Sequence, residues 1–201
     1  MPISYHTTSL LEERVKNRFK KADLTKEYNR TMLVRSLALE LAQKYGLDRE
    51  QVSTAALLHN ISRLIPEKEY LHIAEEYGTE ILPEERKNPT LLHQKISRIL
   101  AVEEFNIGDK EVLNAISCHT TLRPAATVLD KIIFLASKQN NKQLKQTTFD
   151  DKEKITSIQD LNQSVFSYLF NEIHNKKVVS TIHPWAKEAL EELMPQTQNK
   201  A

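Results

Sequence analysis

Hydrophobic residues recur along this chain every three or four positions, the spacing that places them on one face of an α-helix. One apolar stripe runs through residues 10–19 and a second through residues 32–42. Three later apolar stretches, at residues 55–59, 91–93 and 112–119, each end in a histidine. The pattern predicts a succession of amphipathic helices with the same polar residue type at three of their ends.

Residue types that favour helix ends occur between the apolar stretches, where this pattern predicts that helices begin and end. Thr25 and Asp48 are suited to cap helix N-termini, and Gly46 is suited to end the helix between them. Pro66 fits the first turn of another helix, and a turn at residues 106–109 ends in an aspartate cap. Further helices are predicted at residues 90–102, 112–119, 128–138, 155–176 and 184–193.

Polar segments separate the predicted helices. Residues 82–89 and 139–154 are predicted as loops, and the tail at residues 195–201 is predicted to be disordered. The chain has 201 residues and only three glycines, which argues against the many turns of a sheet protein. We therefore expect one all-α domain at residues 25–194, preceded by a loosely docked helical extension at residues 1–24.

The composition indicates which binding partners and which cellular compartment to expect. The formal net charge is +1, with both signs interspersed, so no surface for coating nucleic acid is indicated. No apolar run reaches the roughly 20 residues that a membrane-spanning helix needs. The single cysteine, Cys118, cannot form an internal disulfide, which favours a reducing cytoplasm. We expect a cytoplasmic protein with neither nucleic-acid nor membrane partners.

The repeated placement of histidine at helix ends is the strongest chemical signal. A lone histidine is usually a surface or hydrogen-bonded core residue. His59, His93 and His119 share one setting, so we expect their side chains to converge on one site.

The motifs around these histidines resemble a known family. They are Leu41-Ala42-Gln43-Lys44-Tyr45-Gly46-Leu47-Asp48, Ala55-Ala56-Leu57-Leu58-His59, Leu91-Leu92-His93, Ala115-Ile116-Ser117-Cys118-His119-Thr120-Thr121, Lys131-Ile132-Ile133-Phe134-Leu135-Ala136 and Ile182-His183-Pro184. In this order they resemble the HD-domain metal-dependent phosphohydrolases. More narrowly, they are similar to the YqeK-like branch, which hydrolyses diadenosine tetraphosphate symmetrically to two ADP. The resemblance implies an HD-domain helical bundle in which His59, His93 and His119 are metal ligands.

Three other ligand positions depart from the family pattern. The resemblance implies a histidine at Arg30 and aspartates at Asn60 and Ser137. Metal centres of this type need carboxylates for compensating charge, and arginine cannot coordinate a metal. No catalytic residue is therefore assigned. We instead predict an anion-binding pocket, with contacts to phosphate from Arg30, Arg63, Thr120 and Arg123.

Three functional interpretations follow. The first is a catalytically impaired or inactive relative that binds a nucleotide or phosphate and needs no cofactor. The second is an active metal-dependent nucleotide phosphohydrolase, with a three-histidine site holding iron, manganese or zinc. The third is a protein-interaction scaffold with a vestigial pocket, acting through a homodimer or another protein. The missing carboxylates favour the first interpretation, and so favour a protein that is not an enzyme.

Overall fold

The structure, a computed structural model, describes residues 8–138, 158–174 and 181–194. These residues form α-helices, three short 3-10 helices and connecting turns, with no strand among them, which confirms the all-α prediction. The α-helices are α1 Thr8–Lys21, α2 Thr25–Gln43, α3 Arg49–Leu58, α4 Tyr70–Glu76, α5 Pro83–Lys87, α6 His93–Glu103, α7 Lys110–Cys118, α8 Val128–Lys138, α9 Ile158–His174 and α10 Pro184–Leu193. The 3-10 helices are Ile61–Leu64, Glu67–Glu69 and Pro89–Leu92.

Four helices, α2, α3, α7 and α8, form the centre of the bundle. Helix α2 packs against α3 and α8, and helix α7 packs against α3, α6 and α8. Their apolar stripes face one another, so Leu41, Leu57, Ile116 and Phe134 are fully buried. Burying one side chain of this size stabilises the fold by about 1.5–3 kcal/mol. The packing brings the C-terminal ends of α3 and α7 close to the N-terminal end of α6.

Short polar caps fix where the central helices begin. Asp48 accepts hydrogen bonds from the backbone amides of Glu50 and Gln51, at 2.8 and 2.9 Å. Asp109 caps α7 in the same way. Such caps contribute about 1 kcal/mol each. The predicted cap at Thr25 is wrong, because Leu24 precedes the helix and makes no side-chain cap.

Helix α1 is bound more firmly than the expected loose extension. Val15 and Phe19 are fully buried in the main core. The Arg14 guanidinium donates to the backbone carbonyl oxygen of Glu104 at 2.7 Å and lies over the Phe105 ring. The expectation of loose docking is therefore wrong for the described part of this segment.

The segment predicted as a polar loop at residues 82–89 contains a helix. Pro83 lies in the first turn of α5, where proline is well tolerated. Glu85 turns into the interior and is fully buried, and its Oε2 accepts a hydrogen bond from the Leu82 amide at 2.8 Å. A buried ionisable residue in a polar segment is a feature that periodicity does not reveal.

Two predictions fall outside the described residues, namely the loop at 139–154 and the tail at 195–201. The helix predicted at 155–176 is confirmed over α9. Across the described ranges, no helix has the length and apolar character needed to cross a bilayer.

Candidate functional site

Three histidines meet in the interior of the bundle. His59 directly follows α3, His119 directly follows α7, and His93 begins α6. The ring centroids of His59 and His119 are 4.9 Å apart, and those of His93 and His119 are 5.0 Å apart. Only 1%, 6% and 2% of the surfaces of His59, His93 and His119 are exposed. We call these three residues the histidine cluster.

Backbone carbonyls fix the protonation pattern of the histidine cluster. Each Nδ1 lies 2.7–2.9 Å from a carbonyl oxygen three residues earlier in the chain. Those oxygens belong to Ala56, Thr90 and Ile116. A carbonyl can only accept, so each Nδ1 carries the hydrogen and each neutral ring has its lone pair on Nε2.

The Nε2 atoms face one another inside the cluster. Nε2 of His93 is 3.2 Å from Nε2 of His119 and 2.8 Å from the Thr120 hydroxyl, which donates to it. Burial lowers the pKa of His59 to about 4 and that of His93 to about 3, and it holds the pKa of His119 well below its usual value. Near neutral pH the cluster is therefore an uncharged group of electron-pair donors.

Two cations lie close enough to reinforce this effect. After burial, the charge of Arg63 is a further cause of the lowered pKa of both His59 and His93. Lys138 likewise contributes to the lowered pKa of His93 and His119. Arg63 is among the residues that the sequence predicts for the site, whereas Lys138 is not. The available signal was its place directly after Ser137, at the end of a buried helix.

Arg30 does not join the histidine cluster. Its side chain is 62% exposed and lies 3.0 Å from a Glu27 carboxylate oxygen, one turn earlier on α2. The neighbouring Thr31 is the residue that faces the core. Successive helical residues point about 100° apart, so the inward position of Thr31 directs Arg30 away. The prediction that the Arg30 guanidinium lines the histidine pocket is wrong.

The two positions that the resemblance associates with aspartate behave differently. The Oδ1 of Asn60 is buried and has no hydrogen-bond partner among the described residues. The Ser137 hydroxyl lies 2.8 Å from the carbonyl oxygen of His119 and 2.7 Å from that of Phe134. Asn60 thus retains an unused acceptor, whereas Ser137 is engaged with the backbone.

The donor groups can be compared with the needs of a metal ion. Within residues 8–138, 158–174 and 181–194, no three or more histidine, cysteine, aspartate or glutamate side chains are arranged to hold a metal ion. The groups that do meet are neutral imidazoles and a hydroxyl, and the buried Asn60 amide oxygen that follows His59 in the chain is also uncharged. No charge compensation for a divalent ion comes from such a set.

The remaining predicted anion ligands lie in different settings. Arg123 donates to Asp130, a fully buried carboxylate whose pKa burial raises, at 2.8 and 2.9 Å. Its guanidinium therefore has a structural partner. Arg63 pairs at 3.2 Å with Glu67, and both of these side chains are more than one third exposed. Such an exposed pair contributes about 0–1 kcal/mol, so Arg63 can exchange its partner at little cost.

A cavity lies beside Thr120, and we call it the side cavity. It has a volume of about 60 Å³ and lies against the Thr120–Thr121 turn, the end of α9 and the start of α10. Its walls are mainly apolar, with Thr120 and Glu172 among the polar residues. The lining residues are Leu91, Thr120, Thr121, Glu172, Ile173, Thr181, Ile182, His183 and Ala186.

The chain is similar in sequence to known proteins over most of its length. A profile described as "HD domain" matches residues 28–161. The chain is 38% identical over 148 residues to an uncharacterized protein in the pepC 5' region of Lactococcus lactis subsp. cremoris, covering 73% of this chain and 74% of that one. It is 32% identical over 156 residues to the symmetrical bis(5'-nucleosyl)-tetraphosphatase of Halalkalibacterium halodurans, covering 73% and 76%.

The fold also matches a solved structure. The crystal structure of a predicted HD superfamily hydrolase involved in NAD metabolism, from Clostridium acetobutylicum, aligns with a TM-score of 0.78. The two sequences are 29% identical, and the alignment covers 90% of this chain and 95% of that one. The likeness confirms the predicted helical-bundle fold.

Proposed function

The chain belongs to the HD domain family, and from that premise we propose that it binds a nucleotide or another phosphate-containing small molecule and hydrolyses it slowly or not at all. Its relatives include a protein named as a symmetrical bis(5'-nucleosyl)-tetraphosphatase, which directs attention to dinucleoside polyphosphates and their products. ADP and diadenosine tetraphosphate are therefore the first ligands to test.

The observation that carries this proposal is the lack of a carboxylate at the histidine cluster. Asn60 and Ser137 stand where the family resemblance implies aspartates, and the Ser137 hydroxyl is directed to backbone carbonyls. Two-metal hydrolysis needs charged bridging ligands to hold the ions and activate water. The residues present do not fit such a centre, so no catalytic step is assigned to one.

Positive charge supports the phosphate-binding half of the proposal. Lys138 donates to the carbonyl oxygen of Thr120, the residue after His119, and the charges of Arg63 and Lys138 both help to lower the pKa of the buried histidines. The imidazoles themselves are neutral near pH 7, with acceptor nitrogens facing inward, so they are poor donors to phosphate oxygens. Binding would therefore depend on Arg63 and Lys138, and not on the histidines or Arg30.

Binding and turnover should be measured on the same preparation. We expect ADP and diadenosine tetraphosphate to raise the melting temperature equally with and without a chelator. We also expect no ADP release from diadenosine tetraphosphate after adding iron, manganese or zinc. Stoichiometric metal in protein purified without metal-affinity resin, together with turnover that chelation abolishes, would contradict the proposal.

Restoring the expected ligands provides the complementary test. The triple variant Arg30→His, Asn60→Asp and Ser137→Asp should gain metal and metal-dependent hydrolysis through its two new carboxylates if the bundle retains a usable cavity, whereas the histidine at position 30 points away from the cluster and adds no ligand. The matched control is Arg30→His alone, which adds no carboxylate and should remain inactive. Equal activity in wild type and triple variant would remove the main support for an impaired site.

One observation favours a second candidate, an active three-histidine hydrolase. The Nε2 atoms of His93 and His119, 3.2 Å apart, are facing acceptors that one cation would satisfy, and Asn60 Oδ1 is a further buried acceptor with no partner among the described residues. This candidate needs the three rings to rearrange, because as they stand they are not arranged to hold an ion. Zinc or iron with three histidine ligands and an open position can activate water. This candidate predicts metal-dependent ADP release that His59→Ala abolishes, whereas the first proposal predicts no release from either protein.

A further inference from the structure

Lys138 lies at the junction of the histidine cluster and the side cavity. It is the last residue of α8, and its side chain is only 10% exposed. Its ammonium group donates to the Thr120 carbonyl oxygen and lies 3.3 Å from a Glu172 carboxylate oxygen. Thr120 and Glu172 both line the side cavity, and Lys138 contacts both of them without being one of the lining residues.

Apart from Glu172, the surroundings of Lys138 hold its ammonium group in place without adding negative charge. The nitrogen lies 4.9 Å from the ring centroid of Phe134 and 5.3 Å from that of Tyr168. Aromatic faces and a carbonyl oxygen attract a cation but carry no net charge. Among the described residues, Glu172 is the carboxylate within ion-pair distance of Lys138.

Glu172 is suited to be an exchangeable partner. Its side chain is 20% exposed, it comes from α9 and it lines the side cavity. A phosphate group carries up to two negative charges and three acceptor oxygens, so it offers a lysine more than one carboxylate does. The mostly apolar walls lower the local dielectric and strengthen whichever ion pair forms there.

We propose that the side cavity is a subsite for one phosphate group of the ligand, anchored by Lys138, with Glu172 as an internal counterion that the phosphate displaces. The identity of the ligand class rests on the proposed function. The cavity volume of about 60 Å³ has room for a few water-sized groups, so the proposed subsite is for one phosphate group and not for a nucleoside. The nucleoside would then lie outside the cavity mouth.

Inorganic pyrophosphate tests the subsite without any nucleoside and without turnover. Calorimetric titration with chelator present should show at least fivefold tighter binding for Glu172→Gln than for wild type. Lys138→Met should weaken binding at least tenfold, and Lys138→Arg should retain most of it. Glu188→Gln is the matched control, because it removes one exposed negative charge from the neighbouring helix α10 and should leave the affinity unchanged.

The outcomes separate this inference from the proposed function. Unchanged or weaker pyrophosphate binding by Glu172→Gln overturns the counterion role, and unchanged binding by Lys138→Met overturns the anchor. If Lys138→Met fails to fold, the Glu172→Gln titration still decides. If the wild type shows metal-dependent turnover and Glu172→Gln still binds pyrophosphate at least fivefold more tightly, the impaired-site proposal is refuted and the phosphate subsite is retained.

Discussion

Two buried polar clusters in the described part of the chain are built in opposite ways. In the histidine cluster the facing Nε2 atoms are lone-pair acceptors, and the nearby Asn60 Oδ1 has no partner among the described residues. The second, which we call the carboxylate cluster, consists of Glu85, Lys95 and His183. There Lys95 donates to Glu85 at 2.8 Å, and His183 Nε2 donates to the other carboxylate oxygen at 3.1 Å.

The carboxylate cluster leaves little for an external ligand to bind. The Lys95 ammonium group also donates to the Glu80 carbonyl oxygen at 2.8 Å. Nδ1 of His183 accepts from the Trp185 amide at 3.2 Å, which caps α10 and fixes the ring as the neutral Nε2–H form. A buried network with matched donors and acceptors holds the fold together. One with an excess of acceptors, such as the histidine cluster, leaves lone pairs that only a hydrogen-bond donor or a cation can use.

The largest effect should come from breaking the carboxylate cluster. Lys95→Met leaves the fully buried Glu85 without its cation, which should cost about 3–5 kcal/mol of unfolding free energy in urea titrations. The double variant Lys95→Met with Glu85→Gln should recover part of this loss. Arg86→Met, which breaks an exposed pair with Glu75, is the control and should cost less than about 1 kcal/mol. Equal losses in the two single variants would show that the buried cluster is not structural.

Acid should destabilise the two clusters in different pH windows. The folded-state pKa of His59 is about 4, below its unfolded value of 6.5, because burial disfavours the charged ring. Its stabilising contribution is therefore complete above pH 6.5 and is lost as the pH falls towards 4. Burial alone would raise the pKa of Glu85, but hydrogen bonds from His183 and Lys95 lower it overall. Its contribution is lost only below its unfolded value of 4.5.

Unfolding of metal-free protein at a series of pH values would separate these windows. One histidine with such a shift should lose about 2 kcal/mol between pH 7.5 and 5. His59→Gln should make the upper window shallower without removing it, because His93 and His119 have lowered pKa values too, and Glu85→Gln should flatten only the lower window. A wild-type stability that does not change between pH 7.5 and 5 would contradict the neutral histidine cluster.

The two clusters also differ in how far sequence predicts them. The histidine cluster is predictable because each histidine ends a recognisable apolar run, and packed helices bring such ends together. The carboxylate cluster is not, because the partners of Glu85 lie 10 and 98 positions away along the chain. Residues 82–89 look like a polar loop, and nothing local distinguishes the buried Glu85 from its exposed neighbours.

Side-chain direction sets a second limit on sequence reasoning. The cation predicted for the pocket, Arg30, points outward, whereas the one found near the histidines is Lys138. Both residues lie on predicted helices. Neighbouring residues on a helix point about 100° apart, so the exact position of a residue decides whether its side chain faces inward. Helix existence and caps such as Asp48 and Asp109 depend on local chemistry and were predictable, whereas the cap position of α2 at Leu24 was not.

A smaller effect should distinguish two amides near the histidines. The Gln94 amide donates to the Thr121 hydroxyl at 2.9 Å and accepts from the Thr120 amide at 3.1 Å. Gln94→Leu should therefore lower the unfolding free energy in urea by about 1–3 kcal/mol, because the Thr121 hydroxyl and the Thr120 amide lose the hydrogen-bond partner that Gln94 provides. Asn60→Leu removes an Oδ1 that has no partner among the described residues, so the unfolding free energy should fall by less than about 1 kcal/mol. A reversed order would mean that Asn60 is already satisfied in the folded protein.

The smallest effect should come from Arg30→Ala. Its guanidinium is mostly exposed and pairs only one turn away with Glu27, so unfolding free energy should change by less than about 0.5 kcal/mol. Pyrophosphate affinity should also be unchanged, in contrast with the loss expected for Lys138→Met. The Arg30 guanidinium is exposed, whereas the Lys138 ammonium group is mostly buried. A severalfold loss of affinity in Arg30→Ala would show that its guanidinium turns inward once an anion is bound. Arg30 would then belong with Lys138 as a ligand of that anion.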